Sequence, residues 1–422
     1  MEAGVSAGVG AEGVAVTIDR LKCLPLISVI ILIAILIAGC GTRSASAPAP
    51  ITNAATPPLS DEECIAYAHK LEELIATGDA MGATAMVDWE AILDEGLAGL
   101  ESKEKPTSFF KGMRVGTIES SPKNFQTVVD CLQQGGGYRF IRIRNSPEGK
   151  RVLFRLLASN EGGLNYHEIL LGRRNEKCIG RDLYVFTSGE KQSQVVRRMA
   201  ILGMPDSTPY LLQKLSGVES EQAKSSAGII AMSKAMSSNR FADALAAYNQ
   251  LPTSLQRAKP FLLIRLRAAQ QISTEETLVA IDAFREAFPD DSAADLYLLH
   301  SLTLKQDFAA TGKVVDRIER SVGGDPFLDV MRGQFLLQEK RFDDADAAAQ
   351  KAIAVDSTLT SAWWLRVTAA LNKGDFPRVV EMLKVLKSEH NQEPADFTDP
   401  LFSEFVKSPE YREWQAERSA TP

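Results

Sequence analysis

The sequence has few of the side chains from which metal centres and catalytic sites are built. Its 422 residues include only four histidines and five cysteines, and no two cysteines have the CxxC spacing of a zinc site. It contains no nucleophile elbow and no paired-carboxylate spacing. A GxGxxG match at residues 8–13 is discarded because no strand precedes it. We therefore predict no catalytic residues, no metal and no cofactor, and we interpret the chain as a non-enzyme.

An excess of basic charge is also missing. Lysine and arginine number 47 against 54 aspartates and glutamates, which gives a net charge of −7 at pH 7. This balance supplies no overall basic field, so a nucleic-acid partner is not expected. The composition is that of globular protein, with 45% hydrophobic and 24% charged residues. The length allows two or three domains, each with its own core.

Long apolar runs are scarce, and the one at residues 26–38 is informative. It follows Arg20 and Lys22 and ends in Ile-Ala-Gly-Cys at residues 37–40. The run is shorter than the roughly 20 residues that a membrane-spanning helix needs, but it suits the core of a secretory signal. Small residues before a cysteine resemble the lipobox of bacterial lipoproteins. That resemblance implies cleavage before Cys40 and lipidation of its thiol.

The lipoprotein resemblance organises the start of the chain. It implies a signal peptide at 1–39, followed by a lipidated cysteine and a flexible tether at 40–59, where Ala, Ser, Thr and Pro predominate. Gly41 stands where an inner-membrane retention signal would have Asp. The expected location is the cell envelope, on the periplasmic side of the outer membrane if the host has two membranes. A signal-anchor helix with an incidental cysteine is the alternative.

Residues 60–192 predict an α+β domain. Residues 60–63 (SDEE) form a capping box that opens a helix, and further helices are predicted at 83–100 and 125–133. Four strand-like runs follow at 138–144, 151–159, 164–173 and 181–188. In the second run Val152, Phe154 and Leu156 alternate with arginines, which predicts one buried face and one solvent-facing face. Helices followed by a four-stranded antiparallel meander resemble the NTF2-like cone fold.

His167 and Asp182 are the one candidate acid/base pair, because they fall on adjacent predicted strands. With Tyr166 and Tyr184 beside them, they define a candidate pocket for a small molecule. The alternative is that His167 is an ordinary strand residue with a hydrogen-bonded neighbour. The other three cysteines outside the leader, Cys64, Cys131 and Cys178, allow three disulfide pairings or three buried thiols.

Connecting helices are predicted at 193–224, and a repeat follows at 225–393. Phe308, Phe342 and Phe376 are spaced 34 residues apart, and Phe241 lies 67 residues before the first of them. Each follows a polar turn, and Gly333 belongs to the best-matching unit. The pattern resembles the tetratricopeptide repeat, which implies an all-α solenoid of helical hairpins with a concave groove. Residues 394–422 are expected to cap it.

The tetratricopeptide resemblance implies that first helices of the hairpins line the groove. Candidate groove residues there are Arg265, Arg267, His300, Arg332, Gln334 and Arg366. The leading hypothesis is therefore a scaffold that is anchored to the membrane by lipid and holds a protein or peptide partner in the cell envelope. Two alternatives stay open: a small-molecule-binding or enzymatic NTF2-like domain with its pocket near His167 and Asp182, and a structural protein whose repeats self-associate.

Overall fold

A computed structural model describes residues 58–100, 107–158, 163–203, 215–289, 291, 293–304, 307–392 and 397–420. The predicted signal peptide, Cys40 and most of the predicted tether lie outside these residues, as does the side chain of His300. The chain divides into two compact units, one ending at Ser301 and the other beginning at Leu302. The first unit contains an antiparallel sheet with helices before and after it, and the second is helical.

Within the described residues, five helices precede the sheet. The capping box is confirmed, because the Ser60 hydroxyl accepts from the Glu63 N–H at 3.2 Å and the Glu63 carboxylate accepts from the Ser60 N–H at 2.8 Å. The helix predicted at 83–100 is divided in two, because Asp88 starts a new helix by accepting from the Ala91 N–H at 3.1 Å. The helices are α1 (Asp61–Ala76), α2 (Ala80–Ala85), α3 (Trp89–Gly96), α4 (Ser108–Ser120) and α5 (Pro122–Gln133).

The sheet is an antiparallel meander in the order of the sequence. The four predicted strands are confirmed, and a short fifth strand is added at the edge. The fourth strand begins earlier than predicted, because Asn175 and Glu176 adopt positive φ angles of 49° and 63° in a two-residue hairpin turn. The strands are β1 (Gly137–Ser146), β2 (Gly149–Leu157), β3 (Leu164–Arg174), β4 (Lys177–Val185) and β5 (Glu190–Lys191).

The rest of the first unit is helical. Phe241 is the first residue of its helix, as the repeat pattern places it. The helices are α6 (Gln192–Gly203), α7 (Gly217–Lys224), α8 (Ser226–Ser237), α9 (Phe241–Asn249), α10 (Thr253–Gln256), α11 (Lys259–Gln270), α12 (Thr274–Ala287) and α13 (Ala293–Leu304), the last of which lies across the division between the units.

Both faces of the sheet are buried along its central strands β2 and β3. Val152 and Phe154 face the main core together with α1 and α5, as the alternation predicts. The prediction of a solvent-facing opposite side is wrong, since Leu153 and Arg155 there are also buried. Helices of the same unit reach strand β4 from that side, where Lys259 of α11 donates to the Tyr184 hydroxyl at 3.3 Å.

The second unit contains consecutive helices that pack on their neighbours. Its helices are α14 (Phe308–Val322), α15 (Pro326–Gln338), α16 (Phe342–Val355), α17 (Thr360–Lys373), α18 (Phe376–His390) and α19 (Pro409–Ala420). Helix α15 packs on α16, α16 on α17, and α17 on α18, and α15 also contacts α17 directly. Near the end of the chain, Phe402, Phe405 and Trp414 join the core that α17 and α18 build.

Candidate functional site

The sheet places His167 and Asp182 on opposite faces. His167 on β3 is paired in register with Val185 of β4 and Phe154 of β2, whereas Asp182 is paired with Leu170. Paired residues share a face and successive residues alternate, so His167 and Leu170 point to different sides of the sheet. The structure therefore does not bring His167 and Asp182 together as an acid/base pair.

His167 lies in the main core. Its side chain is 4% exposed, and its ring centroid lies 5.6 Å from that of Tyr138. Among the described residues, its Nδ1 atom has no hydrogen-bond partner, and Asn165 Nδ2 lies 3.5 Å from Nε2. Burial lowers the pKa of His167 to about 4, because the charged ring would lose its hydration there. His167 is thus a neutral core residue at ordinary pH.

Asp182 organises the start of α6. Its carboxylate accepts from the Ser193 hydroxyl at 2.6 Å, from the Ser193 N–H at 3.2 Å and from the Leu183 N–H at 2.8 Å. Burial raises the pKa of Asp182, and the bonds from Ser193 and Leu183 oppose that rise. These bonds satisfy a backbone N–H at the first turn of α6, so Asp182 holds that helix against β4.

Tyr184 and Tyr166 lie on the same face as Asp182, opposite to His167. Tyr166 is fully buried, and its ring packs against the edge of Phe186 at a centroid distance of 5.7 Å. Tyr184 is half-buried; its hydroxyl accepts from Lys259, which also pairs with the Asp291 carboxylate at 2.5 Å. Burial raises the pKa of Tyr184 as well. Of the four candidate pocket residues, Tyr184 is the one that contributes to the cleft at the β5 edge of the sheet.

That cleft has a volume of about 500 Å³ and lies between the β5 edge of the sheet and helices α6, α7 and α11. Among the described residues that line it, cations outnumber carboxylates: Arg151, Lys191, Arg197, Arg198 and Lys259 face Glu190 and Glu219. Gln222, a buried side chain of α7, also lines it. The lining residues are far apart in sequence, so no local motif marks the cleft.

Each cation of the cleft already has an acidic partner within the chain. Arg197 pairs with Glu219 at 2.5 Å, Arg198 with Glu190 at 2.7 Å, and Lys191 with Glu148 at 2.7 Å. A guanidinium carries five N–H donors in a fixed fork, and one carboxylate engages at most part of them. Arg197 uses all three of its nitrogens in bonds within the chain, whereas Arg198 donates to Glu190 through Nε and Nη2, so the donor left for a small anionic ligand is Nη1 of Arg198.

The candidate groove residues are engaged in contacts within their own units. In the second unit Arg332 donates to Asp316 at 2.7 Å and to Asp329 at 2.8 Å, and it also pairs with Glu319. Arg366 donates to Asp346 at 2.7 Å. Gln334 is half-buried on α15.

The two candidate groove arginines of the first unit lie on α11. The Arg265 guanidinium lies 5.4 Å from the ring centroid of Tyr248, and Arg267 is half-buried. The described candidate groove residues thus lie on helices, and three of them, Arg265, Arg332 and Arg366, are held in intramolecular contacts.

Small residues mark the closest approach of helices in the second unit. A Cβ atom added to Gly333 of α15 would lie 2.3 Å from Leu365 Cδ2 of α17 and 3.2 Å from the Ala345 carbonyl oxygen of α16. Ala345, Ala349 and Ala352 of α16 are fully buried. Helix axes approach closely only where side chains are small, so the packing at Gly333 depends on the missing methyl group.

Comparison with known proteins gives no relative: no family model matches the chain, and no curated protein matches it. Within the described ranges, no helix combines the length and the apolar character that crossing a bilayer requires. The same ranges contain no group of three or more His, Cys, Asp or Glu side chains arranged to hold a metal ion.

Proposed function

We propose that this protein is a lipid-anchored envelope scaffold that binds a protein or peptide partner through tetratricopeptide-type hairpins. The observation that carries the proposal is the packing of α15, α16 and α17 around Gly333. In that repeat type the first helix of a hairpin packs on its own second helix and on the first helix of the next hairpin. Helix α15 makes both kinds of contact.

Two further observations support the repeat. Phe241, Phe308, Phe342 and Phe376 each occupy the first position of a helix, so the recurring residue marks a recurring structural position. The residue three positions after each, Ala244, Thr311, Ala345 or Val379, is buried. One hairpin cannot bury its own apolar side, so that side is buried only when the next hairpin packs against it. A stacked array leaves a concave surface, and that surface is the proposed partner site.

The partner site is tested by crosslinking the full-length protein in native membranes and capturing it. We expect a specific protein to be recovered with the unmodified chain and lost with the double variant Arg332→Gln, Arg366→Gln. Arg341→Gln is the matched control, because Arg341 lies in the same unit and is 55% exposed. Recovery that is equal with all three proteins would contradict a role for this surface, and recovery of the chain alone would favour self-association.

The anchor proposal has its support in the sequence at residues 26–40. It is tested separately, by growing cells with a labelled fatty acid and following the full-length chain. We expect label in the wild-type protein and none in Cys40→Ala, with Cys131→Ala as the control that keeps the label. A mature protein whose Cys40 is internal and unmodified would refute the anchor, and with it the envelope location.

For the first unit we propose an NTF2-like arrangement, because five helices precede an antiparallel sheet and α1 and α5 pack on one of its faces. The cleft at Tyr184 favours a second candidate function, the binding of a small anionic molecule. Its test is a thermal-shift screen of anionic metabolites on the full chain. We expect a hit to weaken in Lys259→Met and to persist in Arg240→Met, since Arg240 is exposed and outside the cleft. A hit that is unaffected by Lys259→Met would refute this site.

A further inference from the structure

Two of the three described cysteines lie at one end of the sheet. Cys64 of α1 is fully buried in the main core, and Cys178 of β4 packs against the same core. Cys131 of α5 lies elsewhere, where its thiol donates to the Leu157 carbonyl at 3.2 Å. None of these three cysteines forms a disulfide with another described residue.

Helix α1 packs against strand β4, the two elements that carry Cys64 and Cys178. A Cβ atom on Gly180 would lie 2.8 Å from the Tyr67 hydroxyl oxygen, so Tyr67 of α1 crosses β4 at Gly180. Cys178 is two residues before Gly180 on the strand and shares its face. Cys64 is three residues before Tyr67 on the helix and shares its side. Cys64 and Cys178 therefore lie on the facing sides of α1 and β4, each shortly before the residue that makes the Tyr67–Gly180 contact.

A second contact ties the same two positions together. Arg173 is the cross-strand neighbour of Cys178, and its guanidinium donates to both carboxylate oxygens of Glu63 at 2.6 and 2.7 Å. Glu63 immediately precedes Cys64. Burial raises the pKa of the Cys178 thiol to about 12, and the neighbouring Cys64 thiol adds to that rise. The charges of the two sulfurs are thus close enough to influence each other.

Cys131 cannot join either of them. It contacts Leu157, whose partner on β3 is Leu164, and Arg173 lies nine residues further along that strand. At about 3.3 Å per residue this places Cys131 roughly 30 Å from Cys178. A disulfide needs Cα atoms within about 7 Å of each other. Of the three pairings that the sequence allows, the fold leaves one.

We propose that Cys64 and Cys178 form a disulfide that fastens α1 to β4 when the chain meets a disulfide donor, while Cys131 stays a thiol. In the cell, formation of this disulfide rests on the proposed export of the protein, because oxidising compartments supply such donors. The thiolate form of Cys178, which its raised pKa makes a small fraction of the molecules at pH 8, attacks one sulfur of the donor disulfide and releases one donor thiol. The Cys64 thiolate then attacks the Cys178 sulfur of the mixed disulfide and releases the second. The protons from both cysteines end on the two donor thiols, so the donor is reduced as the pair is oxidised.

The test incubates the purified full chain with glutathione disulfide at pH 8, alkylates the remaining thiols and digests the unreduced product with trypsin. We expect peptide 44–70 joined to peptide 178–181, with two hydrogens lost, and peptide 124–139 alkylated. Cys131→Ser should keep the crosslink, whereas Cys64→Ala and Cys178→Ser should each abolish it. The oxidised protein should unfold at a higher temperature than the reduced protein, and a reducing agent should reverse that shift.

Full alkylation of all three cysteines after incubation would overturn the proposal, and so would a crosslink that includes Cys131. Because the donor is added to purified protein, this result does not depend on export. The same peptides from native membranes then report whether the donor is met in the cell. Failure of the disulfide to form in the purified protein would therefore be distinguishable from failure of the proposed envelope location.

Discussion

Replacing Gly333 by alanine probes the helix crossing on which the proposed scaffold depends. The added methyl carbon would lie 2.3 Å from Leu365 Cδ2, where ordinary contact begins near 3.4 Å, so the two must separate by about 1 Å. Movement toward the other side is limited by the Ala345 carbonyl oxygen at 3.2 Å. Leu365 is 4% exposed, so its side chain has no solvent to turn into.

Two effects of opposite sign determine how much Gly333→Ala changes the free energy of unfolding. Overpacking a close-packed core costs about 1–3 kcal/mol. Alanine in place of glycine within a helix contributes about 1 kcal/mol of stability. The free energy of unfolding of Gly333→Ala should therefore fall by about 0–2 kcal/mol.

Gly312→Ala is the matched control. Gly312 lies in α14 of the same unit, and no described atom outside its own turns of helix lies within 4 Å of its added Cβ. The same chemical change should there raise the free energy of unfolding by up to about 1 kcal/mol. The difference between the two variants, about 1–3 kcal/mol, isolates the contact at the crossing.

Urea unfolding of the full chain measures both variants, and a double-mutant cycle with Leu365→Ala identifies the contact. In the Leu365→Ala background the added methyl group has room, so Gly333→Ala should be neutral or stabilising. If Gly333→Ala stabilises the wild-type chain as much as Gly312→Ala does, α15 and α17 do not approach closely. The tetratricopeptide proposal would then lose its main support.

Three further predictions use the same unfolding measurement. The pKa of His167 falls from 6.5 to about 4 on folding. The free energy of unfolding should therefore be constant with respect to this group above pH 6.5 and fall by about 3 kcal/mol as the pH is lowered to 4. His167→Gln should remove this pH dependence. Asp182→Ala leaves the Ser193 donors unpaired and should cost about 2–3 kcal/mol; an equal cost in Asp182→Asn would contradict the capping role. Glu168→Gln weakens its 2.7 Å pair with Arg151 and should cost about 1–3 kcal/mol, whereas no change would show that solvent screens this pair.

Local features of the fold could be predicted because local chemistry determines them. The capping box at Ser60 needs only residues 60–63, and the strand alternation at Val152 needs only its own run. The phenylalanine spacing of the second half likewise locates helix starts. Helix α4 was missed, because its side chains are mostly half-exposed and its glycines at 112 and 116 weaken the pattern.

The candidate pair at His167 and Asp182 was predicted wrongly because the sequence does not reveal the register between β3 and β4. The hairpin turn pairs Arg173 with Cys178, and a regular ladder from there would pair Ile169 with Asp182, on the same face as His167. A register shift after Leu171 inserts one extra residue in β4, so Asp182 pairs with Leu170 instead. One extra residue moves everything beyond it to the other face of the sheet. No local signal in the sequence marks this bulge.

The burial of the second face of the sheet also depends on residues that are distant in the sequence. It determines which length of chain a binding experiment on the first unit must use. The Tyr297 hydroxyl of α13 donates to the Thr187 carbonyl at 2.8 Å, and Lys259 of α11 donates to Tyr184. Helices α11 and α13 begin 68 and 102 residues after the sheet ends and still pack against its edge, and α11 builds one wall of the cleft. A fragment that ends at residue 192, where the predicted α+β domain ends, would lack α11 and so lose that wall. A ligand that uses the cleft should therefore bind the full chain and not this fragment.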